Sequence, residues 1–155
     1  MCAKAVALAA RPEGMPKTSD FQIVDIESND PADGEIQVKN ICMSVDPYMR
    51  GRMVDRKSYV PPFQIGEPLT GGAIGKVIKS AHPDFKEGDF VSSHWGWRDG
   101  FTARADGIER LGEIVAPASE YLGAIGMPGM TAYAGLLEVG ALKDGETVFV
   151  SGAAG

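Results

Sequence analysis

The sequence predicts a mainly β domain, a small irregular barrel, followed by the first helix and strand of an α/β unit. Three observations carry this. Short apolar or alternating runs separated by turn residues fill the first two-thirds of the chain. Twenty glycines and 10 prolines among 155 residues supply those turns. After about Pro117 the pattern changes to helix, turn and buried strand.

The elements follow in order. Strands are expected at 4–10, 21–27, 35–43, 72–79, 89–94, 100–105 and 108–111. The opening apolar run is short and meets Arg11-Pro12-Glu13 at once, which fits a first strand better than a signal peptide. Glu35-Ile36-Gln37-Val38-Lys39 alternates polar with apolar, the pattern of a strand with one wet face. Asn29-Asp30-Pro31-Ala32-Asp33-Gly34 and Lys86-Glu87-Gly88-Asp89 are turn chemistry. Asp46-Pro47-Tyr48-Met49-Arg50 interrupts the strands, with Asp46 placed to cap a short helix and Pro47 at its first position. Residues 53–63, with Pro61-Pro62, read as an irregular loop. A short helix at 119–125, the connector Met127-Pro128-Gly129 and an apolar helix at 131–139 closed by Gly140 come next. Lys143-Asp144-Gly145 then turns into a buried strand from Glu146 that runs into Ser151-Gly152-Ala153-Ala154-Gly155. A domain boundary falls near 120–128.

Composition narrows the function classes. The chain is 44% hydrophobic and 23% charged, ordinary for a globular protein, with a net charge of −6. It has no basic cluster, which argues against nucleic acid or an anionic membrane surface as partner. No apolar stretch approaches the roughly 20 residues of a membrane span. Cys2 and Cys42 are too few for a disulfide scaffold, so a reducing cytoplasm fits best.

The terminal strand and small-residue turn open as a dinucleotide-binding βαβ unit does, because small residues let backbone N–H groups approach a pyrophosphate. Gly152 and Gly155 alone fit a plain tight turn equally well. No metal is expected: His82 and His94 lack partners at ligand spacing, and both read as unremarkable histidines. Cys42 reads as a small core residue, and no G-x-S-x-G elbow occurs. Tyr48 and Tyr59 lie in the irregular segment. A phenol can donate to a developing oxyanion, although partial burial with an ordinary hydrogen bond is the commoner reading. Trp95 and Trp97 flank Gly96 and either line an apolar pocket or cover the barrel mouth.

Longer words carry more. Val45-Asp46-Pro47-Tyr48-Met49-Arg50-Gly51-Arg52-Met53, Gly126-Met127-Pro128-Gly129-Met130-Thr131-Ala132-Tyr133-Ala134-Gly135-Leu136-Leu137 and Gly145-Glu146-Thr147-Val148 resemble the zinc-independent medium-chain reductases. That group includes prostaglandin reductase, plant alkenal double-bond reductases and bacterial curcumin reductase. Ser58-Tyr59-Val60-Pro61-Pro62 and His82-Pro83-Asp84 also resemble the curcumin-reductase branch. The resemblance runs in order over nearly the whole chain.

It implies a GroES-like barrel over 1–125 and, over 126–155, the start of an NADP-binding Rossmann domain. It implies reduction of the C=C bond of a small apolar enone or alkenal: hydride from NADPH to the β-carbon and a proton to the α-carbon. The places of the catalytic cysteine and Gly-His-Glu motif of zinc-dependent relatives correspond to Met43 and Gly71-Gly72-Ala73. By resemblance, Pro47 and Tyr48 lie near the nicotinamide, and Met127 and Thr131 contact it from the domain junction. Gly152, Ala153, Ala154 and Gly155 open the pyrophosphate turn, and Tyr59 is a substrate-pocket tyrosine. The enolate oxygen takes its hydrogen bond from Tyr48, Tyr59 or a residue beyond position 155. A homodimer is implied for the full-length enzyme, and the 155 residues alone are expected to fold as a barrel without catalysing. Two rival readings are an NADPH quinone reductase of the same architecture and a non-catalytic GroES-like binding module.

Overall fold

A computed structural model describes residues 2–58 and 60–152. The alternating run Glu35–Met43 forms β3, a nine-residue strand paired along both edges. Around it in chain order are β1 (Cys2–Leu8), β2 (Phe21–Glu27), β4 (Ala73–Ser80), β5 (Phe90–Ser93), β6 (Gly100–Arg104) and β7 (Glu109–Gly112). Five of them make an antiparallel sheet in the order β6-β3-β4-β5-β7, and β1 and β2 form a separate antiparallel ribbon from Cys2↔Glu27 to Leu8↔Phe21. Each of the seven strands expected before residue 112 is present. The largest shift is at β1, which starts two residues earlier and ends at Leu8, because Ala9 and Ala10 turn away to donate to the Asp20 carbonyl.

The outer edge of β1 closes the barrel. Val6 N–H donates to the Trp97 carbonyl at 2.8 Å, and Val6 carbonyl accepts from Leu69 N–H at 2.9 Å. One core cluster gathers Ile36, Val38, Val77, Val91 and Phe101; a second gathers Leu8, Met49, Met53, Phe63 and Leu69. Each fully buried aliphatic side chain contributes about 1.5–3 kcal/mol. β3 departs from the one-wet-face expectation at Gln37, which is as buried as its neighbours Ile36 and Val38. Its amide donates to the Ser28 carbonyl (3.0 Å), the Ser28 hydroxyl (3.1 Å) and the Asn29 carbonyl (3.2 Å). The segment after β2 therefore covers the face that a strand with one wet side would leave to water. Gly75 in β4 sits opposite an irregularity in β3. A Cβ there would meet Val38 Cγ1 at 2.5 Å and the Lys39 carbonyl at 2.9 Å, so only glycine fits.

Beyond the sheet, residues Ala118–Leu122 form a 3-10 turn. Helix α1 (Tyr48–Arg52) lies between β3 and β4, and α2 (Met127–Tyr133) continues directly into a π-helical stretch, Ala134–Val139. The helix expected at 131–139 thus begins four residues sooner. Gly126 is extended and Pro128 presets the first turn, so the expected connector is helical. Gly140 ends the helix with φ −76°, without the left-handed cap expected of it.

The strand expected from Glu146 is not formed among the described residues. Residues 146–150 run without ladder partners, and Phe149 is 89% exposed. A strand buried in a parallel sheet needs neighbours on both edges, and no described strand offers one. Among the described residues no helix is long and apolar enough to cross a membrane.

Candidate functional site

The site is built where the chain leaves β3. Ser44 N–H donates to the Gly72 carbonyl at 2.9 Å, which ties this exit to the strand opposite. Ser44 Oγ donates to Asp46 Oδ2 at 2.7 Å. The Asp46 carboxylate is thus taken by Ser44, and it is the Asp46 backbone carbonyl that accepts the first helical bond, from Met49 N–H. The expected side-chain cap is replaced by this local turn. Pro47 takes the N-cap place, one position before the first helical place expected of it, already with helical φ −55° and ψ −32°.

The four-residue period of α1 then decides what faces where. Met49 and Met53 are buried in the second core cluster. Tyr48 and Arg52, one position earlier on each turn, fall on the adjoining face and together line a cavity of about 400 Å³. Arg52 is held there by Nε to the Pro61 carbonyl (3.0 Å), Nη1 to Thr70 Oγ1 (3.2 Å) and its guanidinium 4.0 Å over the Phe63 ring. Arg50 donates to the Gly14 carbonyl at 2.6 Å. Both arginines thus bond carbonyls and a hydroxyl, because α1 packs against loops that present backbone oxygens.

Helix α2 supplies the other wall. Tyr121 Oη accepts from Val115 N–H at 3.1 Å and pins the 3-10 turn. A Cβ on Gly126 would strike the Tyr121 carbonyl oxygen, and one on Gly129 the Ala124 carbonyl oxygen. Both glycines are therefore required by close approach of backbone to backbone. This contact brings Met127 to a cleft of about 690 Å³ that Pro47 and Tyr48 line from the opposite side. Gly72 forms part of the floor, where an added Cβ would come within 3.2 Å of Ser44 Oγ. The volume lies within the roughly 300–1,000 Å³ of small-molecule sites.

Three of the residues singled out in the sequence, Pro47, Tyr48 and Met127, thus meet at one cleft. Thr131 lies one turn behind Met127 and does not line it. Its hydroxyl donates to the Met127 carbonyl at 2.8 Å, which leaves its oxygen able to accept. Gly152 is exposed with φ +62°, apart from that wall. Tyr59, Ala153, Ala154 and Gly155 lie outside the described residues.

His94 is the residue the sequence reading passed over. It lines both the 690 Å³ cleft and the 400 Å³ cavity, in each case with Tyr48. Its place directly after β5 is the signal that could have found it, since strand ends carry functional groups onto loops. The tryptophans serve the barrel: Trp95 stacks on Phe101 at 5.5 Å, and Trp97 packs against the second core cluster. Trp97 is held at φ +59°.

The shifted titrations lie away from the cleft. Burial pushes the Cys42 thiol up and pulls the Arg98 guanidinium down. Among the described residues no three His, Cys, Asp or Glu side chains come together in a way that could hold a metal ion. Small Gly72 and Gly126 beside the apolar Met127 leave a slot in this cleft that would admit a flat ring, and the Thr131 hydroxyl lies one turn behind it.

Residues 4–111 match the family model described as the N-terminal domain of oxidoreductase. The chain is 42% identical over 148 residues to the NADPH-dependent curcumin reductase of Escherichia coli (strain K12), covering 96% of this chain and 43% of that protein. It is 43% identical over 159 residues to the NADP(+)-dependent 2-alkenal reductase of Nicotiana tabacum, covering 98% of this chain and 46% of that one. The crystal structure of CurA in complex with NADPH from Vibrio vulnificus superposes with a TM-score of 0.82 at 39% identity, over 92% of this chain and 42% of that one. The chain thus spans less than half the length of these relatives.

Proposed function

The chain belongs to the oxidoreductase family that this N-terminal domain defines, and from that premise we propose that the full-length protein reduces the C=C bond of α,β-unsaturated ketones and aldehydes with NADPH. Residues 1–125 are its substrate domain, and 126–155 begin its NADP-binding domain. The observation that carries the reading is the meeting of Pro47, Tyr48 and Met127 at one cleft, on elements far apart in sequence. Support comes from relatives named for NADPH-dependent curcumin reduction and 2-alkenal reduction.

NADPH, when bound, supplies hydride to the β-carbon of the enone. Pro47 and Met127 would hold the nicotinamide in the cleft they line, and the Thr131 oxygen would be the acceptor offered to its carboxamide. Tyr48 stands at the cleft where its phenol donates to the enone oxygen, on which negative charge develops as an enolate. Such donors act only while water is kept out, and the walls from α1 and α2 provide that screen. Tyr59 is a second substrate-pocket phenol in this reading. The full-length enzyme is a homodimer.

The test is NADPH oxidation by the full-length protein with 4-phenyl-3-buten-2-one, its saturated ketone and a quinone. Turnover of the enone alone is the expected result. Turnover of the quinone in its place would move the protein to quinone reduction, and oxidation of NADPH with none of them would remove the reading.

A further inference from the structure

A second cavity, of about 460 Å³, lies on the other side of Pro47 and Tyr48 from α2. Its lining includes Arg50, Arg52 and Arg56 and, among the described residues, no carboxylate, a local basic cluster that the sequence reading did not see in a chain whose net charge is −6. Three like charges gathered at one concave surface repel one another and concentrate a positive potential there. Arg50 and Arg52 spend part of their donors on the Gly14 and Pro61 carbonyls, which fixes them in place without neutralising them. Arg56 has no ion pair or side-chain hydrogen bond among the described residues. Between the arginines lie Gly51, Val54 and Val60, so the charged lining is continuous with apolar surface.

We propose that this cavity is an anion subsite: it receives a carboxylate carried on the apolar tail of the enone, with Arg56 as its principal partner. The proposal rests on the reading of the neighbouring cleft as the reducing site. Tyr48 lines both cavities, so a substrate whose carbonyl meets the phenol reaches the arginines along its own length. The cofactor's phosphates are the other anion within reach of such a site. No described residue of α2 or of the stretch after it lines this cavity, whereas Met127 and Pro128 line the other, so the cofactor side is the far side of Tyr48.

The experiment uses the full-length protein and one enone in two forms, with a free terminal carboxylate and as its methyl ester. For the unmodified protein kcat/KM for the acid is expected to exceed that for the ester about tenfold, the scale of one charge-assisted hydrogen bond at a partly wet site. The advantage shrinks as salt is added. In Arg56→Gln the acid falls to the level of the ester through a higher KM, while KM for the ester and for NADPH stays within about twofold. Equal kcat/KM for acid and ester in the unmodified protein would overturn the proposal, as would a parallel loss for both forms in the variant. A rise confined to KM for NADPH would give the anion to the cofactor and also overturn it. If neither form is reduced, the functional reading fails separately. Isothermal titration with the saturated keto acid and its ester then decides the subsite: tighter binding of the acid, lost in Arg56→Gln, sustains it, and equal binding removes it.

Discussion

Gly129→Ala and Gly135→Ala make the same chemical change six residues apart in one helical run and should move stability in opposite directions. Replacing glycine by alanine in a helix interior is worth about 0.8–1 kcal/mol, because the backbone loses less freedom on folding. At Gly135 nothing lies within 4 Å of the added methyl, so that gain is expected almost whole. At Gly129 the methyl falls on the Ala124 carbonyl oxygen. That oxygen cannot swing aside, since the Ile125 and Gly126 N–H groups that follow it are bonded to the Glu120 and Gly123 carbonyls. Forcing such a contact costs about 1–3 kcal/mol or more, which offsets the propensity gain and leaves a net loss of up to about 2 kcal/mol. Relief requires α2 to shift away from the 3-10 turn, and Met127 moves with it. Urea unfolding of the two full-length variants reads the sign, and NADPH titration reads the shift. Gly129→Ala should bind NADPH several-fold more weakly, and Gly135→Ala should bind it unchanged. If Gly129→Ala proves as stable as Gly135→Ala, the close packing that forms the second wall of the cleft is wrong.

Three further outcomes are expected. Tyr48→Phe should lower kcat with an enone about tenfold, below the roughly hundredfold or more of a fully enclosed oxyanion donor because the residue is 42% exposed; NADPH affinity should hold, and unchanged kcat would remove the phenol from the chemistry. Gln37→Leu keeps the volume of a residue 2% exposed but removes three donations to Ser28 and Asn29, so equilibrium unfolding should show a loss of about 1–3 kcal/mol. Burial raises the Cys42 thiol, so its reactive thiolate appears only at higher pH. Iodoacetamide at neutral pH should therefore label exposed Cys2 well before Cys42, and the gap should narrow as pH rises; equal labelling at neutral pH would contradict the burial of Cys42.

The strands were legible because period-two alternation and Gly or Pro punctuation are local, and β2 and β3 have the bounds the pattern predicts. Burial on both faces of β3 at Gln37 was not legible, because the covering segment comes from the loop after β2. Asp46 reads as a cap by residue type, yet Ser44 two positions earlier competes for its carboxylate. At the site, Pro47, Tyr48 and Met127 were found through long motif words, whereas His94 was missed because an isolated histidine carries no pattern. Its role in the lining follows only from where β5 ends. The 146–150 stretch reads as a strand by composition, but a ladder also requires partners, which no local pattern supplies.

The most direct measurement is the position of deuterium after turnover of 4-phenyl-3-buten-2-one by the full-length protein with NADPH deuterated at the transferring carbon. The account predicts the saturated ketone with one deuterium on the former β-carbon. Deuterium on the carbonyl carbon of an allylic alcohol would contradict it, because the protein would then reduce C=O and the enolate that Tyr48 is proposed to meet would never form.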